Sequence, residues 1–259
     1  MDLGLSGRSA IVCAASEGLG RACARALAGE GVHVTMCARR PELLEQTAET
    51  IRRETGSPVT ALPCDLRTEA GRAALLAACP KPDILVTNME GPSHGDFRDF
   101  GMDEWLETMD VSFLIPWFLI AGVVDGMAER RFGRIVNISS RTVKMFVPDL
   151  GFSGSARTAL TGALAGLSRE VARHNVTINQ ILPGPFMTKR FLNNTAKKAA
   201  KLGIDVDQHR AREIASETAG RVGDPAEFGQ ACAFLCAAQS GYIVGQNLLM
   251  DGGGYPGTF

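Results

Sequence analysis

An apolar run ending at Cys13 is followed by Ala14-Ala15-Ser16-Glu17-Gly18-Leu19-Gly20 and then by the helix-forming stretch RACARALAGEG. Small residues and glycines at such a point let the backbone turn tightly and come close to a phosphate. The anion then rests on the free N–H groups and the positive end of the helix that follows. Ala14, Ser16, Glu17, Gly18, Leu19 and Gly20 are therefore candidates for cradling the pyrophosphate of a dinucleotide. The second apolar run ends Met36-Cys37-Ala38-Arg39-Arg40. A site selective for NAD carries a carboxylate there for the ribose 2′-hydroxyl, whereas a 2′-phosphate needs a cation. Ala38 offers no carboxylate and Arg39 and Arg40 offer charge, which favours NADP(H) over NAD(H). Glu17 opposes the extra phosphate if it points inward. The plainer reading of the two arginines is as solvated charges at the start of a second helix.

Proton-transfer candidates are few. His94 and Asp96 fall after the fourth apolar run, and His94 has the intrinsic pKa for the task. A solvent-facing loop histidine is its plain alternative. His33 reads as structural, and His174 and His209 as surface positions. Of the two tyrosines, Tyr242 suggests packing, while Tyr255 lies in a tail that could reach a neighbouring subunit. Lys144 is a basic residue on a loop. No His, Cys or carboxylate cluster has metal-ligand spacing, so no metal is expected.

The elements that must position these groups show as an alternation. Apolar, β-branched runs at 9–14, 32–38, 59–64, 84–87, 134–139, 176–182 and 243–250 are separated by helical patterns, such as the stripe Leu160, Leu164, Leu167 and Val171. Nearly all-apolar strands, each followed by a helix, predict a doubly wound, Rossmann-type α/β fold. Its parallel seven-stranded sheet forms the middle of three layers, in a single domain spanning 1–259. Residues 184–219 are polar and rich in Lys and Ala, and predict a helical flap over the site or, alternatively, a mobile insertion. Phe186, Met187, Phe191 and Leu192 on it suggest a partly hydrophobic small-molecule substrate, with Lys189 and Arg190 near its mouth.

The chain has 259 residues, 45% hydrophobic and 21% charged, with a formal net charge of −1. Such a balance argues against nucleic-acid or membrane-surface partners that need a broad basic face. Seven cysteines without a C-x-x-C pair suggest free thiols in a reducing compartment. The N-terminus lacks the features of a signal peptide, and the apolar stretch 111–124 is too short to span a bilayer and suggests a core helix. The expectation is a cytoplasmic protein.

Taken together, these pieces resemble the short-chain dehydrogenase/reductase family, in particular its ketoacyl-reductase-like branch. The resemblance runs over nearly the whole chain. It rests on the cradle, Cys64-Asp65-Leu66, the strand Arg134-Ile135-Val136-Asn137-Ile138-Ser139-Ser140, and Ala156-Arg157-Thr158-Ala159-Leu160. Ile181-Leu182-Pro183-Gly184 and the ending Gly245-Gln246-Asn247-Leu248-Leu249-Met250-Asp251-Gly252-Gly253 complete it. The resemblance implies that Asp65, with Leu66, lies at the adenine and that Pro183 and Gly184 lie along the nicotinamide. It also implies a homodimer or homotetramer, and Gly162, Ala163, Ala165 and Gly166 suit a close helix contact.

The family's catalytic pattern is an Asn on helix four, a Ser after strand five, and Y-x-x-x-K. Here Ser112 holds the Asn position, Ser140 is kept, Ser153 replaces the Tyr and Arg157 replaces the Lys. The Asn-Asn-Ala-Gly stretch appears as Thr87-Asn88-Met89-Glu90, with Asn88 retained, and the first cradle Gly is Ala14. A phenol, with a pKa near ~10, can be tuned to give up its proton, while an aliphatic hydroxyl cannot. Arg157 can hold ribose hydroxyls or grip a carboxylate or enolate. Three readings follow. One is an NADP(H)-dependent oxidoreductase acting on a carbonyl or alcohol, with Ser140 orienting the oxygen and water or His94 closing the proton path. The others are a non-redox enzyme on the same scaffold (enolisation, dehydration, cyclisation or retro-aldol cleavage) and a non-catalytic dinucleotide-binding subunit.

Overall fold

The computed structural model describes residues 2–91, 95–148 and 150–258. Seven strands, β1 (Ser9–Val12), β2 (His33–Ala38), β3 (Val59–Pro63), β4 (Ile84–Thr87), β5 (Gly133–Ile138), β6 (Val176–Pro183) and β7 (Asn247–Met250), form one sheet in the order β3-β2-β1-β4-β5-β6-β7. Every pairing is parallel. The order reverses beside β1, so the crevice at the carboxyl ends of β1 and β4 is where a doubly wound sheet binds its ligand.

Alternation along the strands supplies both faces of the core. Ala10 and Val12 of β1 face one apolar layer and Ile11 the other. The first layer contains helices α1 (Gly18–Gly29) and α2 (Pro41–Thr55). The second contains α3 (Glu69–Ala78), and the two helices that follow α4 (Met102–Met109), namely α5 (Ile115–Glu129) and α6 (Gly151–Val171). Two further helices, α7 (Lys189–Leu202) and α8 (Val206–Ser216), occupy most of the segment expected as a flap, joined by the Lys198–Glu213 ion pair at 2.6 Å. The last helix, α9 (Pro225–Cys236), packs on α1 in the first layer.

Three expectations change. Only 247–250 of the anticipated last strand is extended. The stretch 111–124 belongs to a helical run of 28 residues, Met102–Glu129, which is long and apolar enough to cross a membrane by length and composition. Half of its most apolar window is buried inside the fold, where α5 packs with α3, β5 and α6. Phe186, expected on the flap's substrate face, is a core residue, its ring centroid 5.3 Å from that of Phe228.

Candidate active site and dinucleotide cleft

The turn from β1 into α1 is built for close approach. Cys13 N–H donates to the Val86 carbonyl and Ala15 N–H to the Cys37 carbonyl, both at 3.0 Å, which pins the turn between β4 and β2. Ala14 stands at φ +47° and Gly18 at φ +62°, and a Cβ on Gly20 would collide with the Ala14 carbonyl. The α1 N-terminus has no side-chain cap and no acidic residue in its first turn, which leaves its N–H groups open to an anion. Ser16 is buried, its carbonyl taken by the Thr47 hydroxyl at 2.9 Å, and Leu19 packs against the first core layer. Asn88 is half-buried, with Nδ2 within 3.0 Å of the place a Gly20 Cβ would occupy.

The arginines after β2 are exposed but paired. Arg40 meets Glu17 at 2.6 Å, and Arg39 reaches across the end of β1 to Glu90. Glu17 is thus turned toward Arg40. Asp65 accepts from the Arg67 N–H at 3.0 Å. The Leu66 side chain is buried in the second core layer, and its carbonyl accepts from Arg72 at 2.9 Å, which leaves only its backbone N–H to face a ligand. Pro183 ends β6. The Gly184 N–H donates to the Met250 carbonyl at 2.8 Å, and a Cβ there would lie 2.8 Å from the Asp251 Cα.

Beyond the carboxyl end of β5, Ser140 caps a short 3₁₀ turn, Arg141–Val143, its Oγ accepting from the Thr142 N–H at 3.2 Å. Ser153 is buried on the first turn of α6, and the neighbouring Phe152 stacks on Phe100 and meets Trp105 edge-on. One turn on, Arg157 donates from Nε to Ser153 Oγ at 3.1 Å and from Nη1 to the Ile138 carbonyl at 3.2 Å. Burial and the nearby Arg190 guanidinium push its pKa down to about 10. Ser112 lies in a π-helical turn, Asp110–Leu114, between α4 and α5, and its buried Oγ has no hydrogen-bond partner among the described residues. Such turns recur at functional sites.

The structure therefore brings Ser153 and Arg157 together. His94 lies outside the described residues, and Asp96 is tied to Arg98 at 2.9 Å. Tyr242, expected to pack, is fully exposed in the turn before β7. His33 is exposed at the start of β2, at the opposite end of the sheet. His209 is half-buried 3.7 Å from Glu213 rather than free at the surface. Tyr255 turns back on its own chain, its ring 5.8 Å from Lys144 Nζ. Among the described residues no group of three or more His, Cys, Asp or Glu could hold a metal. Sequence reasoning passed over Ser139 and Thr142, whose buried hydroxyls also lack hydrogen-bond partners among the described residues, and it placed Arg190 at the mouth of the flap without linking it to Arg157. The Ser139-Ser140 doublet was a readable signal for the first. The approach of Arg190 to Arg157 joins α7 to α6 and leaves none.

The profile of a family described as enoyl-(acyl carrier protein) reductase matches residues 13–254. Human dehydrogenase/reductase SDR family member 4 is 30% identical over 256 residues, covering 96% of this chain and 88% of the relative. The 3-oxoacyl-(acyl-carrier-protein) reductase FabG of Vibrio cholerae is 30% identical over 257 residues, covering 98% of this chain and 99% of the relative. Among solved structures, L-sorbose reductase from Gluconobacter frateurii, complexed with NADPH and L-sorbose, superposes with a TM-score of 0.91. It is 26% identical, with 99% of this chain and 100% of that chain covered.

Proposed function

The chain belongs to the short-chain dehydrogenase/reductase family, and from that premise we propose an NADP(H)-dependent reductase of small carbonyl compounds in which hydroxyls and a guanidinium replace the phenol–amine pair. The observation that carries the reading is the Ser153–Arg157 hydrogen bond, with Arg157 also bonded to the Ile138 carbonyl two residues before Ser140. Ser153 Oγ accepts from a cation, which polarises its own O–H into a better donor. Ser140 Oγ accepts from a backbone N–H and keeps its proton to donate. Together with Arg157 they form a donor set suited to a developing oxyanion. None of the three is a tuned acid near neutral pH, so the oxyanion waits for a proton from water.

The cleft fits the cofactor. Gly20 leaves room for a close backbone approach, the α1 N-terminus is uncapped, and Ala38 offers no carboxylate to a ribose hydroxyl. Arg39 and Arg40 would take the 2′-phosphate by exchanging Glu90 and Glu17 for it. When bound, the dinucleotide supplies the hydride. The NADPH named with L-sorbose reductase supports this preference. A second reading, enolisation without redox change, draws on the same cation next to two hydroxyls.

Fluorescence titration with NADPH and NADH, followed by NADPH consumption over a panel of aldehydes and ketones, tests the proposal. NADPH should bind at least about tenfold more tightly than NADH. Ser140→Ala and Arg157→Met should each lower kcat/KM by about 10²-fold. Failure of both dinucleotides to bind defeats the proposal. Binding without NADPH consumption, with deuterium exchange into an enolisable ketone, transfers the site to the second reading. We also propose a cytoplasmic homodimer or homotetramer assembled through α6, whose Gly162 and Gly166 are exposed.

A further inference from the structure

Two guanidinium groups meet at Gly91. Arg157 spends Nε on Ser153 and Nη1 on the Ile138 carbonyl, and its remaining Nη2 stands 3.3 Å from the place a Gly91 Cβ would occupy. Arg190, the second residue of α7, brings Nη2 and Nη1 to 3.1 and 3.3 Å of the same point. Arg39, Arg40, Arg141 and Arg221 each have a carboxylate partner. Among the described residues no carboxylate forms an ion pair with Arg157 or Arg190, and the nearest in sequence, Glu90, is turned to Arg39. Like charges brought this close repel, and burying one of them raises the cost. Two forked cations packed against the same glycine, without a counter-ion among the described residues, leave N–H donors that a bidentate oxyanion between them would satisfy.

We propose that Arg157 and Arg190, together beside Gly91, bind a substrate carboxylate, so that the substrate is an oxo acid or its hydroxy acid with the acid group a few bonds from the reacting carbon. This rests on the reductase reading, because Ser140 and Ser153 hold the carbonyl oxygen there. The other source of an oxyanion is a phosphate of the dinucleotide. The open N–H groups of α1 already provide for that phosphate at Gly18–Gly20, whereas Arg157 is bonded to Ser153 and to the end of β5 on the hydroxyl side. The depressed pKa of Arg157 agrees with a desolvated cation beside another cation, Arg190, and it leaves the charge intact at neutral pH.

Calorimetric titration with 3-phenylpropionate and 3-phenylpropionamide, with and without saturating NADPH, tests the assignment on probes that cannot react. The acid should bind about tenfold more tightly than the amide. Arg190→Met and Arg157→Met should each remove that preference, and Arg190→Lys should restore part of it. Equal binding of acid and amide, none included, or a preference that survives Arg190→Met, overturns the proposal. So does a tenfold loss of NADPH affinity in Arg190→Met together with competition between inorganic phosphate and NADPH, which assigns the oxyanion to the cofactor and leaves the reductase reading standing. If NADPH does not bind the unaltered protein, the reductase reading fails, and the acid–amide comparison without cofactor still decides the anion site.

Discussion

Ala14 occupies the left-handed region at φ +47°, where a Cβ crowds the following carbonyl at a cost of about 1–2 kcal/mol. The turn holds it there because Cys13 and Ala15 are both anchored to neighbouring strands. Ala14→Gly should therefore stabilise the protein by about 1 kcal/mol, less what the freer unfolded chain takes back, read from denaturant midpoints. A lower midpoint would show that the cradle is relaxed. A second residue-scale conflict is the Arg39–Glu90 pair, since Glu90 competes with the 2′-phosphate for the same guanidinium. Glu90→Gln should tighten NADPH binding about threefold to tenfold at low salt and change NADH binding little. Equal tightening of both dinucleotides would remove Arg39 from phosphate selection. The charge of Arg157 sets a pH limit. A base whose pKa lies at about 10 is cationic below that value and neutral above it. The affinity for 3-phenylpropionate should thus be flat through neutral pH and fall as pH rises through about 10, whereas a decline already at pH ~7 would point to a different cation.

At the scale of elements, the α1–α9 seam holds the cradle. A Cβ on Gly229 of α9 would collide with the Ala22 carbonyl of α1, a backbone atom that cannot rotate away. Gly229→Ala should destabilise by about 2 kcal/mol and weaken dinucleotide binding, because α1 must shift. Gly29→Ala, at the open end of α1, meets nothing within 4 Å and should stabilise slightly. Equal effects of the two would mean that the seam is loose. The contrast between these glycines also marks what could be read in advance. The strands were legible because a parallel sheet buried on both faces writes continuous apolar runs, as in Ile84–Thr87, which is buried throughout. Ser153 and Arg157 were legible by counting from Ser140, and their bond follows from one helical turn of spacing. The role of Phe186 was not, because an aromatic after a Pro-Gly turn looks the same whether it meets substrate or Phe228. Nor was the meeting of Arg190 with Arg157, because only the return of α7 over the carboxyl ends of the strands brings them together.

For the whole molecule, the question is what covers the outer face of α5 and α6. Leu114 and Phe118 are exposed, Phe118 by 56%, and so is the α6 stripe of Thr158, Ala159, Gly162 and Gly166. A Cβ at Gly162 or Gly166 would meet nothing within 4 Å in the single chain, so neither glycine is required by the protomer's own packing. Two exposed glycines four residues apart let a second helix come close, and exposed large apolar side chains add area to bury. The inner face of α6 carries Ser153 and Arg157, so assembly there would stiffen the helix that holds the oxyanion donors. Sedimentation velocity should show a dimer or tetramer, and Gly162→Trp should shift it to smaller species. Because a Cβ at Gly162 has nothing within 4 Å among the described residues of its own protomer, far-UV circular dichroism should remain that of the folded chain. Turnover should fall as the assembly dissociates and recover with protein concentration. A monomeric unaltered protein, or a Gly162→Trp variant of unchanged size, would remove α6 as the interface and leave its glycines without a role in assembly.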